Sequence, residues 1–102
     1  MGKCGRLDWR YRADYIRHRS RRHPGDTDIE PEWADEAFAD PAAMNEHPDH
    51  ASKSGRTDRV LGYSPTVRMV IAVIWMPETM IGVNAWKAND TEARQYWERG
   101  QR

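Results

Sequence analysis

The chain of 102 residues has one cysteine, Cys4, so no internal disulfide can form, and nothing ahead of it resembles a secretory signal. Position 6 is arginine, where a myristoylation signal wants Ser or Thr. The longest apolar run, Met69–Met76, falls far short of the roughly 20 residues that span a bilayer as a helix. There is no Gly-x-x-x-x-Gly-Lys-Ser/Thr loop, which argues against a nucleoside triphosphate site. No set of four well-spaced ligands is present for structural zinc, although Glu46, His47, Asp49 and His50 cluster loosely. No metal, no cofactor and no membrane are expected, and the compartment is expected to be cytoplasmic.

Net charge is missing as well, since 16 Lys and Arg balance 16 Asp and Glu. The total therefore neither points to nucleic acid nor excludes it, but the distribution is uneven. Up to Arg22 there are eight basic and two acidic residues; from His23 to His50 there are nine acidic and none basic; thereafter eight basic face five acidic. Blocks of opposite sign suggest a charged binding face, or an acidic segment that shields the chain's own cations.

What is present is concentrated between Arg56 and Lys87, where β-branched and aromatic residues gather between turn signals. Arg59–Tyr63, Val67–Met76 and Met80–Trp86 are strand-length runs, separated by Tyr63-Ser64-Pro65-Thr66 and Pro77-Glu78-Thr79. Connections this short permit only antiparallel neighbours. The middle run is apolar at both parities, so a central strand covered on both faces is expected, with Arg68 as its one charge.

Ahead of this meander, Leu7, Tyr11, Tyr15 and Ile16 space a helix over Leu7–Arg22 with an arginine-rich outer face, ended by His23-Pro24-Gly25. Ile29, Trp33, Ala34, Ala37 and Phe38 stripe a second helix with Pro31 at its start and Asp40-Pro41 at its stop. Ala42–Glu46 is a candidate edge strand, and 47–56 is a polar loop. Asn89 with Glu92 makes a capping-box start to a last helix, whose Ala93, Tyr96 and Trp97 face the core before Gly100 closes it. The expectation is a single α+β domain over 1–102, loose over 1–6: a small antiparallel sheet of three to four strands, two N-terminal helices and one C-terminal helix.

Arg68 in an apolar strand admits two readings: a structural ion pair at a sheet edge, or a functional cation. By alternation Asn84 and Trp86 can share its side of the sheet, Lys87 ends their strand, and Arg59 can join from the preceding one. Cations from adjacent strands beside an aromatic ring suit phosphodiester chemistry, which needs charge for the transition state and a platform for a base. Lys53 and Arg56, in Ser52-Lys53-Ser54-Gly55-Arg56, fit an RNA-contact loop and an ordinary exposed loop equally well. Histidine changes charge near neutral pH, so His50 is the natural proton carrier nearby.

The stretch from Trp33 to Pro41 (WADEAFADP), Pro48-Asp49-His50, Val60 to Ser64 (VLGYS), and Asn84-Ala85-Trp86-Lys87-Ala88 with Glu92 and Tyr96 resembles the BrnT family of toxins, of the RelE-like superfamily. The resemblance runs from about Trp9 to Trp97. It implies a RelE-like fold and a metal-independent ribonuclease that arrests translation, held inactive in a hetero-oligomer with a DNA-binding antitoxin. His50, Arg68 and Lys87 match or fall close to family positions, and Arg56 and Arg59 lie near the arginine the family has ahead of its Leu-Gly pair. With the reading of the residues above, the catalytic candidates are Arg68, Arg59, Lys87 and His50, and the RNA-binding candidates are Trp86, Asn84, Lys53 and Arg56. Trp86 stands where the family usually has arginine. The rival reading is a non-catalytic toxin-fold protein that binds only an antitoxin or a nucleic-acid partner.

Overall fold

The computed structural model describes residues 6–99, so the first residues and the expected stop at Gly100 lie outside it. The element order is α1 (Ala13–Arg17), α2 (Arg19–Arg22), α3 (Pro31–Ala39), β1 (Met44–Glu46), β2 (Asp58–Ser64), β3 (Met69–Met76), β4 (Ile81–Lys87) and α4 (Asp90–Arg99). The four strands form one antiparallel sheet in the order β1-β2-β3-β4. This is an α+β fold, with the middle strand of the expected meander at its centre. Among the described residues no helix is long and apolar enough to cross a membrane.

Side-chain alternation along β2 and β3 splits the apolar residues between two clusters. Val60, Ile71, Val73, Trp75 and Ala85 meet Ile16, Ile29, Ala34, Ala37 and Phe38 on one face of the sheet. Phe38 lies edge-on to Trp75 with ring centroids 4.8 Å apart. Helix α3 approaches β2 closely at Gly62, where an added Cβ would stand 1.9 Å from the Ala37 carbonyl oxygen. On the other face Leu61, Val70, Ala72 and Ala88 gather under Tyr96 of α4.

Three expectations need correction. Leu7–Arg22 is not one helix: Asp8 instead pairs with Ile81 at the edge of β4, burying Leu7 and Trp9. The Trp9 indole N–H donates to Asp35 (3.0 Å), and the helical remainder breaks at His18 into α1 and α2. Trp97 does not face the core. It is 46% exposed and rests edge-on against Tyr63 and Tyr96, because Tyr96 takes the buried position of that turn.

Arg68 is not in the strand. Ser64 pairs with Met69, and 65–68 form the loop between them, closed by the Arg68 N–H donating to Ser64 O (2.7 Å). Arg68 takes φ +56°, the left-handed region that a chain reversal of this kind requires of one residue. The β3–β4 hairpin repeats the device: Met76 pairs with Ile81, the Met80 N–H donates to Met76 O (2.8 Å), and Met80 has φ +61°. Proline begins both loops, as Pro65 and Pro77, where its fixed φ suits the first turn position.

Candidate functional site

The functional candidates meet on the sheet face that α4 only partly covers. Cross-strand partners share a face, so the register places Arg59, Ile74 and Asn84 in one row and Leu61, Ala72 and Trp86 in the next. Met44 and Glu46 extend these rows onto β1, opposite Leu61 and Arg59. Beyond the end of α4's apolar contact the face opens into a cavity of about 480 Å³. Glu46, His50, Arg59, Glu92 and Arg99 supply its charged and ionisable lining.

Arg59 is the centre of this group, with its side chain 13% exposed. Its Nη1 donates to Glu92 Oε2 (2.8 Å), and its Nε lies 2.7 Å from Asp49 Oδ1. The latter contact is ionic rather than an aligned hydrogen bond, since neither atom has a hydrogen-bond partner of acceptable geometry. Asp49 is held by its own backbone, its N–H donating to Thr57 O (2.8 Å) and its carbonyl accepting from Ser52 (2.9 Å). Glu92 is fixed by the capping box read in the sequence. Asn89 Oδ1 accepts from the Glu92 N–H (2.8 Å), and Glu92 Oε1 accepts from the Asn89 N–H (3.0 Å). The same Oε1 accepts the Trp86 indole N–H (3.1 Å).

Glu46 and His50 lie at the mouth of the cavity, with Glu46 Oε1 2.9 Å from His50 Nδ1. The His50 hydrogen bond holds the Glu46 carboxyl below its ordinary pKa, against the smaller opposing effect of desolvation. An ionised Glu46 accepts from Nδ1–H and so leaves Nε2 as the proton-accepting atom of the ring. One ligand atom from each of Glu46, Asp49 and His50 fits within 4.8 Å, a spacing a metal could bridge. Arg59 already places a cation on the Asp49 oxygen, however, which makes the trio a better acid–base group than a metal cradle.

The structure brings together Arg59 and His50, with Asn84 and Trp86 on β4, two strands from Arg59. It does not bring the others. Arg68 lies beyond the Ser64 end of β2, five residues and roughly 16 Å along the strand from Arg59. Lys87 pairs with Ile71, whose side chain belongs to the opposite, α3-covered face, so Lys87 leaves the sheet away from Arg59. Lys53 is exposed on the polar loop, and Arg56 is engaged with Glu78 (2.9 Å).

Trp86 is also not the open platform expected of it. The Arg59 guanidinium lies 5.0 Å and that of Arg19 5.8 Å from its ring, so cations attend the position where a base was to stack. Arg19 reaches across from α2, donating to Asn84 Oδ1 (3.0 Å) and pairing with Asp26 (3.1 Å).

Sequence reasoning missed Asp49, Arg99 and Arg19 as site residues and took Glu92 for a cap alone. The four-residue spacing of Glu46 and His50 was the available signal. It went unused because the intervening loop carries no periodicity. Comparison with protein-family models, curated proteins and solved structures returns no match to this chain.

Proposed function

We propose that this protein is a small ribonuclease toxin of a type II toxin–antitoxin pair, RelE-like in fold and BrnT-like in family, cleaving RNA without a metal in the cytoplasm. The observation that carries the chemistry is the Glu46–His50 pair, 2.9 Å apart, opening onto the same cavity as Arg59 and Arg99. In the proposed step His50 Nε2 takes the proton of a ribose 2′-hydroxyl, and the 2′-oxygen bonds to the adjacent phosphorus. The bond from phosphorus to the 5′-oxygen breaks, and that oxygen takes a proton from water. The products are a 2′,3′-cyclic phosphate and a 5′-hydroxyl. Glu46 orients the ring and stabilises the imidazolium, while Arg59 and Arg99 meet the charge that develops on the phosphoryl oxygens. The partner in this reading is a DNA-binding antitoxin that forms a hetero-oligomer with the chain and covers the cavity.

The test is incubation of the purified protein with a synthetic RNA in excess EDTA, reading the cyclic-phosphate product. Wild type should cleave, and His50→Ala should be slower by about 10²–10⁴-fold. Cleavage that His50→Ala leaves unchanged removes His50 from the mechanism.

One observation favours a second reading. Arg59 is neutralised by two carboxylates, and Trp86 occupies the place where the resembled family usually carries arginine. A non-catalytic protein that only binds a partner fits that arrangement. It requires that wild type cleave no RNA while still binding its antitoxin.

A further inference from the structure

The chain's own acidic block leaves a cationic patch uncovered. Asp26 is engaged with Arg19, Asp28 with the Ser20 backbone and hydroxyl, and Glu30 with Arg17. Neither Arg12 nor Arg22 forms an ion pair among the described residues. Instead both converge on one ring. The Arg22 guanidinium lies 3.7 Å and that of Arg12 4.9 Å from the Tyr15 centroid, with Arg22 also donating to Tyr15 O (2.8 Å). Two like charges gathered on one aromatic ring repel each other unless an anion joins them.

Beside them Tyr11 is 67% exposed, the most exposed large apolar side chain described, with Arg10 5.8 Å from its ring. Arg12 and Arg22 reach the Tyr15 ring from either side of the break at His18, and Arg19, which opens the turn carrying Arg22, completes a stripe of cations. Arg19 is the member of that stripe that touches Trp86 and Asn84, and Trp86 touches Arg59 at the cavity. Arginines without a carboxylate partner beside a largely exposed aromatic ring, continuous with a candidate cleavage site, match what single-stranded nucleic acid requires: charge for phosphates and a π-face for a base.

We infer that Tyr11, Arg12 and Arg22 form a binding track for single-stranded RNA that leads past Arg19 and Trp86 to the cavity. The inference deepens the ribonuclease reading and rests on it for the identity of the strand. Tyr11 stacks a base, Arg12 and Arg22 hold phosphates, and Tyr15 keeps the two guanidinium groups together.

The test pairs two substrates. A dinucleotide reaches only the cavity, whereas a longer oligonucleotide reaches the track; its 2′-O-methyl form, which cannot be cleaved, serves for binding. For the double variant Arg12→Gln/Arg22→Gln, the slope of log affinity against log salt should flatten by about 1.4, the loss of two single-strand phosphate contacts. Tyr11→Ala should weaken binding of the long strand by about tenfold. Arg94→Gln on α4, the loss of one exposed charge outside the track, should leave the slope nearly unchanged, and cleavage of the dinucleotide should be the same in all these variants.

Wild-type cleavage of the dinucleotide, with an unaltered salt slope in the double variant, overturns the track and leaves the ribonuclease reading standing. The reverse result, strand binding that depends on Arg12 and Arg22 with neither substrate cleaved, upholds the track and removes the catalysis. Loss of binding to poly-glutamate but not to RNA in the double variant makes the patch a docking surface for an acidic protein and overturns the inference.

Discussion

The two faces of the sheet are closed by different means. On the face under α3, Val60, Ile71 and Val73 are fully buried against Ile29, Ala37 and Phe38, and the buried Asp58 stands at its end, beside Trp75, where Asn45 and His47 meet its carboxylate. On the α4 face an apolar patch of Leu61, Val70, Ala72 and Tyr96 gives way within two residues of β2 to Arg59, which sits between Asp49 and Glu92. The first face is held by area removed from water, a non-directional force that tolerates reshaping if volume is kept. The second is held by a few directional contacts among groups that are costly to leave unpaired. A protein that must keep charge near a cavity can do so because its other face carries most of the stability.

The largest effect should come from the α3 face. Phe38→Ala removes the ring packed edge-on against Trp75 and should cost about 3–5 kcal/mol by urea titration. A loss below about 1 kcal/mol would mean that α3 is not the principal cover of the sheet. On the α4 face, Glu92→Ala removes the cap of α4 and the acceptor for both Arg59 and the Trp86 indole. It should cost about 2–3 kcal/mol, less than Phe38→Ala despite the larger number of bonds broken, since Asp49 still pairs with the Arg59 charge and each remaining net hydrogen bond contributes only about 1 kcal/mol. The comparison fails if the order of these two variants is reversed.

Much of this arrangement was legible in the sequence, for reasons particular residues make plain. The strands emerged within one or two residues because Val60-Leu61 and Val70–Ile74 concentrate β-branched side chains between prolines. The capping box at Asn89 and Glu92 was legible because it is a local pattern in which both partners lie within one turn. Arg68 was misplaced because a left-handed φ in a non-glycine residue leaves no mark in composition. The repeated Pro65 and Pro77, each opening a four-residue loop, was the unused clue. Leu7 and Trp9 were drawn into the helix by the four-residue spacing Leu7, Tyr11, Tyr15. Their alternation about Asp8 was a period-two signal that the free edge of β4 captured. The site was only partly legible, because Asp49 and Glu92 reach Arg59, and Arg19 reaches Trp86, across 10 to 67 positions in sequence, where no local pattern links them.

The two hairpins offer a smaller comparison within the sheet. Their loops share backbone geometry, yet among the described residues only the first is hydrogen-bonded to α3. Glu36 accepts from the Ser64 hydroxyl (2.7 Å) and from the Thr66 hydroxyl and backbone (2.6 and 3.3 Å). These bonds, the Thr66 hydroxyl first, hold the Glu36 carboxyl below its ordinary pKa. A carboxyl lowered on folding contributes stability that is fully present above its unfolded value, near pH 4.3, and is lost as pH falls through the folded value. The stability advantage of wild type over Glu36→Gln should therefore be constant near neutrality and shrink from about pH 5 downward. A difference that grows on acidification would show that Glu36 is not held as a carboxylate by the hairpin.

The smallest predicted effect separates the two roles open to Arg68. At φ +56° an L side chain costs about 1 kcal/mol that glycine avoids, although glycine gives back part of this through its freer unfolded chain. Arg68→Gly should therefore leave stability unchanged or raise it by up to about 1 kcal/mol, whereas Met80→Gly, at the matching position of the second hairpin, should be less favourable because it also loses a side chain packed on the α3-face core. Because Arg68 lies in the exposed loop at the far end of β2 from Arg59, RNA cleavage by Arg68→Gly should stay within about twofold of wild type, whereas loss of a transition-state donor costs about 10²–10³-fold. A loss of that size in a variant whose stability has not fallen would place the reacting phosphate at the hairpin end, not at the cavity. It would exchange the roles of the two ends of β2.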